Sequence, residues 1–392
     1  MADTQARQTA AQPPPRSRAS RVFLRPREFW RRLTAGLEAE ALWRQFATEA
    51  REGYGLYSRD VDWESKQASH WRRGIFIARS FFWALVLKLS PPRRVLLLAA
   101  FGMMIFSAFS DKEHNLTGFA ALIFFVLLAL ELADRVAMKR DLQIAREIQG
   151  WLVPTEPPVV PGIDLAFATR PANTVSGDYY DAFWRSGQTA PLGKTSRRLL
   201  LVVADVVGKS VPAALLMATL QASLHALADV PSSLHELVAR LNSYSCAHSA
   251  DGRRFTTAFL AELNVETREL SYVNAGHNLP MLRRKSGVIE RLDCGGVPLG
   301  VMADAQYDTG AAQLQSGDTL LVFTDGVVEA LNEQGDDFTE PRLLEIVARI
   351  ETDSAAQVRN EVMSSVADFV GDARQHDDIT CLVMCVGPTP AA

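Results

Sequence analysis

From about Gly162 onward, short apolar runs alternate with clusters of turn residues. Runs of Val, Ile, Leu and aromatic residues that end at Gly, Pro, Asn or Asp predict β-strands. The predicted strands are 163–169, 179–185, 199–206, 256–263, 269–274, 279–284, 288–293, 318–323 and 379–386. Helical periodicity predicts helices at 211–228, 233–247, 340–351 and 354–371. Because the strands cluster and the helices come in pairs, the pattern predicts an α+β domain of two stacked antiparallel sheets.

Two apolar segments in the first half, residues 95–110 and 116–132, flank a polar loop at 111–115. Each is shorter than the ~20 residues that usually cross a bilayer, although about 17 suffice in a tilted helix. A buried helical hairpin in a soluble domain is the alternative. Basic residues outside the two segments favour the membrane, with both ends in the cytoplasm: they are Arg93, Arg94, Arg135, Lys139 and Arg140. We therefore predict a transmembrane helical hairpin over residues 93–132.

The segments before the hairpin differ in composition. Residues 1–27 are rich in Ala, Gln, Pro, Arg and Ser, and predict a disordered basic tail. Seven arginines and one acid lie between Arg16 and Arg32. This excess fits contact with anionic membrane lipid and a solvated charged tail about equally. Residues 28–92 have helical composition and form a predicted juxtamembrane region.

A charged linker helix is predicted at residues 133–153, between the hairpin and the strand-rich domain. Its apolar residues form a short heptad-like seam: Met138, Leu142, Ala145, Ile148 and Leu152. Docking of this seam on the neighbouring domain and pairing with a second copy of the chain, as a homodimer, both account for it. The four prolines between Pro154 and Pro161 end the helix.

Composition and charge narrow the classes of function. The formal net charge of −4 over 392 residues gives no general case for nucleic-acid binding. None of the four cysteines forms a Cys-x-x-Cys pair, and Cys381 and Cys385 lie in a predicted buried strand. A reduced, cytoplasmic setting therefore suits the strand-rich domain.

Carboxylates stand at the ends of four predicted strands, where a site would be assembled. They are Asp178, Asp205, Asp325 and the adjacent pair Asp377 and Asp378. A turn or cap role explains any single aspartate, but four such positions in one domain favour a shared site. Buried carboxylates cost several kcal/mol unless they are paired or bind metal. Oxygen ligands without a Cys/His set suit Mg²⁺ or Mn²⁺, and a pair of such ions can catalyse phosphoryl transfer.

The triplet Gly208-Lys209-Ser210 has the form of the end of a phosphate-binding P-loop. A P-loop requires glycine five positions before its second glycine, and that position holds Val203. Asp205 would also place negative charge inside the loop. Both observations argue against an NTPase.

Eight segments, in this order and spacing, resemble the SpoIIE/RsbU branch of the metal-dependent serine/threonine protein phosphatases, the PPM superfamily. The segments are AREIQGWLVP (145–154), SGDYYDAF (176–183), ADVVGKSVPAAL (204–215), RFTTAFLAEL (254–263), YVNAGHNLP (272–280), GGVPLGV (295–301), FTDGVVEALN (323–332) and QHDDITCLV (375–383). The resemblance covers roughly residues 145–386 and leaves out the apolar hairpin.

The resemblance implies an αββα sandwich over residues 162–387 with two Mn²⁺ or Mg²⁺ ions at one end. It implies that Asp205 bridges the ions, that the Val206 carbonyl and Asp178 complete one side, and that Asp325 and Asp377 bind the other ion. Asp378 falls on the second residue of the final acidic pair, as a ligand or just behind one. Substrate contacts are predicted for Lys209 and His277, although Lys209 would otherwise be solvated and His277 would brace a turn.

Members of this branch remove phosphate from serine or threonine on an anti-anti-sigma protein of the STAS type. The resemblance thus implies a phosphorylated STAS-domain substrate and a bacterial inner-membrane protein whose catalytic domain lies in the cytoplasm. Val207 and Ser210 depart from the usual DVSGKG motif of the family, and we expect Ser210 to cap the next helix. These departures leave open a catalytically weak, phosphatase-like binding module.

Overall fold

The computed structural model describes residues 86, 89–109, 116–185, 198–249 and 254–388. The predicted tail at 1–27, nearly all of the juxtamembrane region at 28–92 and the polar loop at 111–115 lie outside the described residues. The chain divides into two compact units, Met1–Leu132 and Ala133–Ala392.

The first unit contains helix α1 (Pro91–Phe109) and the start of helix α2 (Thr117–Leu152). The predicted second span and the predicted linker form this one continuous helix of 36 residues. Within the unit, Phe101 and Phe124 pack edge to face with ring centroids 5.3 Å apart. Large apolar side chains on both helices nevertheless stay exposed, for example Phe109 and Phe125. An apolar surface of this extent is typical of a membrane or protein contact.

Two described helices are long and apolar enough to cross a membrane by length and composition, α1 and Val211–Ala228. The second of these packs against a sheet in the second unit. Length and composition alone therefore do not separate a membrane span from a core helix, and the transmembrane hairpin stays a prediction.

The described residues of the second unit contain eleven strands. In chain order they are β1 (Ile163–Arg170), β2 (Asp178–Arg185), β3 (Arg198–Val206), β4 (Thr256–Asn264), β5 (Glu269–Ala275), β6 (Met281–Arg283), β7 (Ile289–Arg291), β8 (Gly295–Gly296), β9 (Gly310–Gln313), β10 (Thr319–Phe323) and β11 (Ile379–Val386). Its further helices are α3 (Val211–Ala228), α4 (Leu234–Ala247), α5 (Asp325–Val328), α6 (Glu340–Arg349) and α7 (Ala355–Val370).

The strands form two sheets, and the predicted α+β fold with stacked sheets is confirmed. The first sheet has the order β1-β11-β10-β6-β7, and the second has the order β2-β3-β4-β5-β8 with β9 beside β5. All pairs are antiparallel except β5 with β8. The sequence pattern missed β8, β9 and α5, which are two to four residues long. Such short elements carry too little periodicity to be seen.

The order of layers follows from the burial of alternate residues. On β3, Leu199, Leu201 and Val203 face the core between the sheets. Leu200, Val202 and Ala204 face the core beneath α3 and α4. Strand β11 has the same arrangement, with its other face toward α6 and α7. A strand that is buried on both faces has a continuous apolar sequence. The predicted bounds of these two strands therefore agree with the structure to within one residue.

Candidate metal centre

The predicted acids meet at one end of the stacked sheets. Asp178 and Asp205 are register partners on β2 and β3 of the second sheet. Asp325 follows β10, and Asp377 and Asp378 precede β11, which pairs with β10 in the first sheet. Each sheet thus contributes carboxylates to one cluster.

The electrostatics of the cluster reflect burial and mutual repulsion. Burial, and next the charge of Asp205, raise the pKa of Asp178 well above its ordinary value. Burial, with the charges of Asp325 and Asp377, raises the pKa of Asp205 to about 7. Burial and Asp377 also raise the pKa of Asp325. The carboxylates are therefore poorly neutralised by the protein itself.

A buried threonine between the two sheets holds Asp178. The Thr324 hydroxyl donates to Asp178 Oδ2 at 3.0 Å and accepts from the Thr380 backbone amide at 3.0 Å. Thr324 has no exposed surface. One oxygen of Asp178 on the second sheet is thus fixed from the end of the first.

Asp378 serves the site differently from Asp178. Its Oδ1 accepts from the Ala172 amide at 2.7 Å, and its Oδ2 accepts from the Ser176 hydroxyl and the Gly177 amide at 2.8 and 2.7 Å. Both oxygens are therefore engaged by protein donors. Asp378 thus holds the loop before β2, as expected for a residue just behind a ligand, and its role as a metal ligand stays a prediction.

The Val206 carbonyl oxygen and the Asp205 carboxylate both lie close to Gly177. A Cβ atom added to Gly177 would lie 3.1 Å from Val206 O and 3.7 Å from Asp205 Oδ1. A glycine at 177 thus lets the loop pass close to both oxygens.

Lys209 lies at the edge of the cluster. Its ammonium is 2.9 Å from Asp377 Oδ2 and donates to the His376 carbonyl oxygen at 2.6 Å. The side chain is about half exposed, so it also faces solvent.

His277 is buried, with 5% of its surface exposed. Its Nδ1 is 3.0 Å from the Thr257 hydroxyl, and its backbone amide donates to Asn274 Oδ1 at 2.7 Å. Burial lowers its pKa to about 4, so it is neutral at physiological pH. These contacts are those expected if His277 braces a turn, and its substrate contact stays a prediction.

Ser210 does not cap α3 as expected. Its hydroxyl makes no capping hydrogen bond, and its backbone has φ 63° and ψ −145°. This region is essentially restricted to glycine and costs a residue with a Cβ about 1–3 kcal/mol. The departure from the family motif therefore introduces backbone strain next to Lys209.

We expect Ser210→Gly to stabilise the protein by about 1–2 kcal/mol, because glycine relieves this strain. Thermal unfolding in EDTA measures the change. Ser233→Ala is the matched control: Ser233 caps α4 through a complete capping box, so its loss should destabilise by about 1 kcal/mol. An unchanged or lower midpoint for Ser210→Gly would contradict the assignment of strain.

Gly326 allows Asp325 to approach the final acidic pair. A Cβ at this position would lie 2.0 Å from the Asp378 carbonyl oxygen. We expect Gly326→Ala to destabilise the protein by about 1–3 kcal/mol through this clash. Chemical denaturation tests this, with Gly150→Ala as control because a Cβ there meets nothing within 4 Å. Equal stabilities of the two variants would show that the backbone at Gly326 yields freely.

The donor set fits a hard divalent cation that keeps part of its water shell. Among the described residues, no three His, Cys, Asp or Glu side chains are arranged to hold a metal by themselves. Mg²⁺ commonly uses one or two carboxylates and several waters, and oxygen donors suit Mn²⁺ as well. The carboxylates of Asp178 and Asp205, those of Asp325 and Asp377, and the Val206 carbonyl are oxygen donors of this kind.

Four further residues of the site were missed by sequence reasoning. Thr324 and Ser176 hold carboxylates, Gln149 holds Ser176, and Glu329 adds another acid. Burial and the charge of Asp325 raise the pKa of Glu329. Each lies within a segment of the resemblance, but nothing in its local sequence marked it as part of a site: Glu329 is not at the end of a predicted strand, and the other three residues are uncharged.

Stacked sheets between helix pairs, with carboxylates of both sheets at one end, define a PP2C-type phosphatase fold. The SiaA-PP2C domain of Pseudomonas aeruginosa shares this fold with a TM-score of 0.54 and 20% sequence identity, over 64% of this chain and 98% of that domain. Residues 195–387 match the SpoIIE family, described as Stage II sporulation protein E. The chain thus carries a SpoIIE-family, PP2C-type phosphatase domain.

Two relatives from Bacillus subtilis extend the likeness. Phosphoserine phosphatase RsbU is 28% identical over 249 residues, which cover 63% of this chain and 70% of RsbU. Phosphoserine phosphatase RsbP is 25% identical over 195 residues, which cover 49% of this chain and 46% of RsbP. The chain therefore spans less than half of RsbP.

Proposed function

We propose that this protein is a membrane-anchored phosphatase that hydrolyses phosphoserine or phosphothreonine on a regulatory protein, using two Mn²⁺ or Mg²⁺ ions. The convergence of carboxylates from both sheets carries the proposal. Burial and repulsion raise the pKa of Asp178 and of Asp205, and such a cluster is costly without cations. Two relatives named phosphoserine phosphatases support this reaction.

The residues that would hold the ions are Asp178, Asp205, Asp325, Asp377 and the carbonyl of Val206. When bound, ions of this kind activate water and stabilise the charge of a transferring phosphoryl group. The chain itself orients these groups: Thr324 holds one oxygen of Asp178. Lys209 faces solvent beside Asp377, where its positive charge would attract a substrate phosphate.

Phosphate release from a phosphoserine-containing STAS-domain protein, measured with the full chain in mild detergent, tests the reaction. We expect release that requires Mn²⁺ or Mg²⁺ and stops with EDTA. Tight binding of the phosphoprotein without release would instead favour the phosphatase-like binding module, for which the strain at Ser210 is the specific observation. Release from unrelated phosphoproteins at equal rates would contradict a dedicated STAS partner.

The membrane anchor rests on α1 and on the exposed apolar side chains of α1 and α2. We expect the full chain to stay in the membrane pellet after alkaline carbonate extraction, with residues 133–392 facing the cytoplasm. Extraction into the soluble fraction would leave the hairpin as part of a protein interface. Crosslinking through the seam on α2 would then test the predicted homodimer.

A further inference from the structure

Gln149, in the last turn of α2, grips the backbone of Ser176. Its side-chain amide donates to the Ser176 carbonyl oxygen at 2.7 Å, and its Oε1 accepts from the Ser176 amide at 3.0 Å. Both residues lie in the second unit, 27 positions apart. One side chain thus satisfies both backbone groups of one loop residue.

Ser176 in turn connects this contact to two acids of the site. Its hydroxyl accepts from the Asp178 backbone amide at 3.0 Å and donates to Asp378 Oδ2 at 2.8 Å. Gln149 is therefore one residue removed from the backbone that carries Asp178. Gln149 and Asp178 line the same cavity, and the side-chain hydrogen bonds described for Gln149 go to Ser176, so its role would be to position.

The surroundings do not fix this loop by packing alone. Residues 171–177, between β1 and β2, have no regular secondary structure and need partners for their backbone groups. A cavity of about 200 Å³ beside the loop is lined by residues that include Gln149, Val153, Ser176 and Tyr180. With open space on that side, directional hydrogen bonds decide where the loop lies.

We propose that Gln149 is a positioning residue that holds the Ser176 loop so that Asp178 is presented to a divalent cation. The inference rests on the proposed metal-dependent function. Removal of a partner that orients a ligand typically lowers metal affinity by about 10–100-fold. We therefore expect the affinity for a divalent cation to fall when Gln149 is replaced, and this affinity is the quantity to measure.

Calorimetric titration of Mn²⁺ into the full chain in detergent tests the proposal. We expect Gln149→Leu to weaken Mn²⁺ binding about tenfold and to leave the unfolding midpoint in EDTA nearly unchanged. Gln143→Leu is the matched control, since Gln143 is exposed on the same helix, and it should bind Mn²⁺ as the unaltered chain does. Gln149→Glu, which keeps an acceptor but loses the donor, should also weaken binding.

A double-mutant cycle with Ser176→Ala examines the connection itself. If Gln149 acts through Ser176, the combined loss of Mn²⁺ affinity should be smaller than the sum of the single losses in free energy. Mn²⁺ affinity within twofold of the unaltered chain for both Gln149 variants would overturn the proposal. Because binding is read without turnover, a chain that binds Mn²⁺ but releases no phosphate would refute the proposed function and still test Gln149.

Discussion

Replacing Asp205 with asparagine should lower phosphatase turnover by about 10³-fold. A bound metal ion supplies several kcal/mol of transition-state stabilisation, and each 1.36 kcal/mol of activation free energy changes the rate tenfold. Asp205 faces Asp178 across β2 and β3 and feels the charges of Asp325 and Asp377. Loss of its carboxylate would therefore remove a proposed ligand that is close to acids of both sheets.

Phosphate release at saturating Mn²⁺ measures this effect. Asp372→Asn is the matched control, because Asp372 is exposed, and its activity should stay within about twofold of the unaltered chain. The double variant Asp205→Asn with Asp325→Asn should show no Mn²⁺-dependent turnover. Activity that survives in the double variant would exclude a mechanism with two bound ions.

The metal-free protein should lose stability as the pH rises from about 4 to about 7, relative to its Asp205→Asn variant. The pKa of Asp205 is raised from 3.8 to about 7 in the folded protein. In this window the unfolded chain releases the proton while the folded chain keeps it, so folding becomes less favourable with increasing pH. Above about pH 7 both states are ionised and the difference becomes constant.

At pH 7.5 the free energy of unfolding of the metal-free, unaltered chain should be lower than that of Asp205→Asn by an amount on the order of 3 kcal/mol. For a domain of this size, this corresponds to roughly 5–10 °C in the unfolding midpoint. Thermal unfolding in EDTA at several pH values, with and without the substitution, measures it directly. Added Mn²⁺ should raise the midpoint of the unaltered chain at pH 7.5, since a ligand of the folded state stabilises it. If the difference in stability between the unaltered chain and Asp205→Asn did not change with pH, the pKa of Asp205 would not be raised in the folded protein.

The two predictions for Asp205→Asn go in opposite directions: phosphatase turnover falls, whereas the stability of the metal-free protein rises. Asp205→Asn should lower turnover by about 10³-fold and stabilise the metal-free fold, because the carboxylate that would bind metal is costly without it. Random damage to the fold would lower both quantities together. The combination therefore separates a functional carboxylate from a structural one.

The local pattern of apolar residues was enough to predict most of the second unit. Strands β3 and β11 are buried on both faces, so their sequences are continuous apolar runs with clear ends. The helix at 211–228 was predicted with the bounds that α3 has. The positions of the aspartates at strand ends also follow from the sequence, because an acid that ends an apolar run is visible without a structure.

What each of those acids does was decided only by tertiary contacts. Asp377 and Asp378 are adjacent and chemically identical, yet Asp378 is occupied by donors from a loop some 200 positions earlier, such as Ser176. His277 was predicted to contact substrate or to brace a turn, and only the structure shows that it is buried. The φ of Ser210 and the grip of Gln149 on Ser176 likewise depend on how distant segments meet. Periodicity reports which residues are buried, whereas hydrogen-bond partners far apart in the chain are set by the packing of the whole domain.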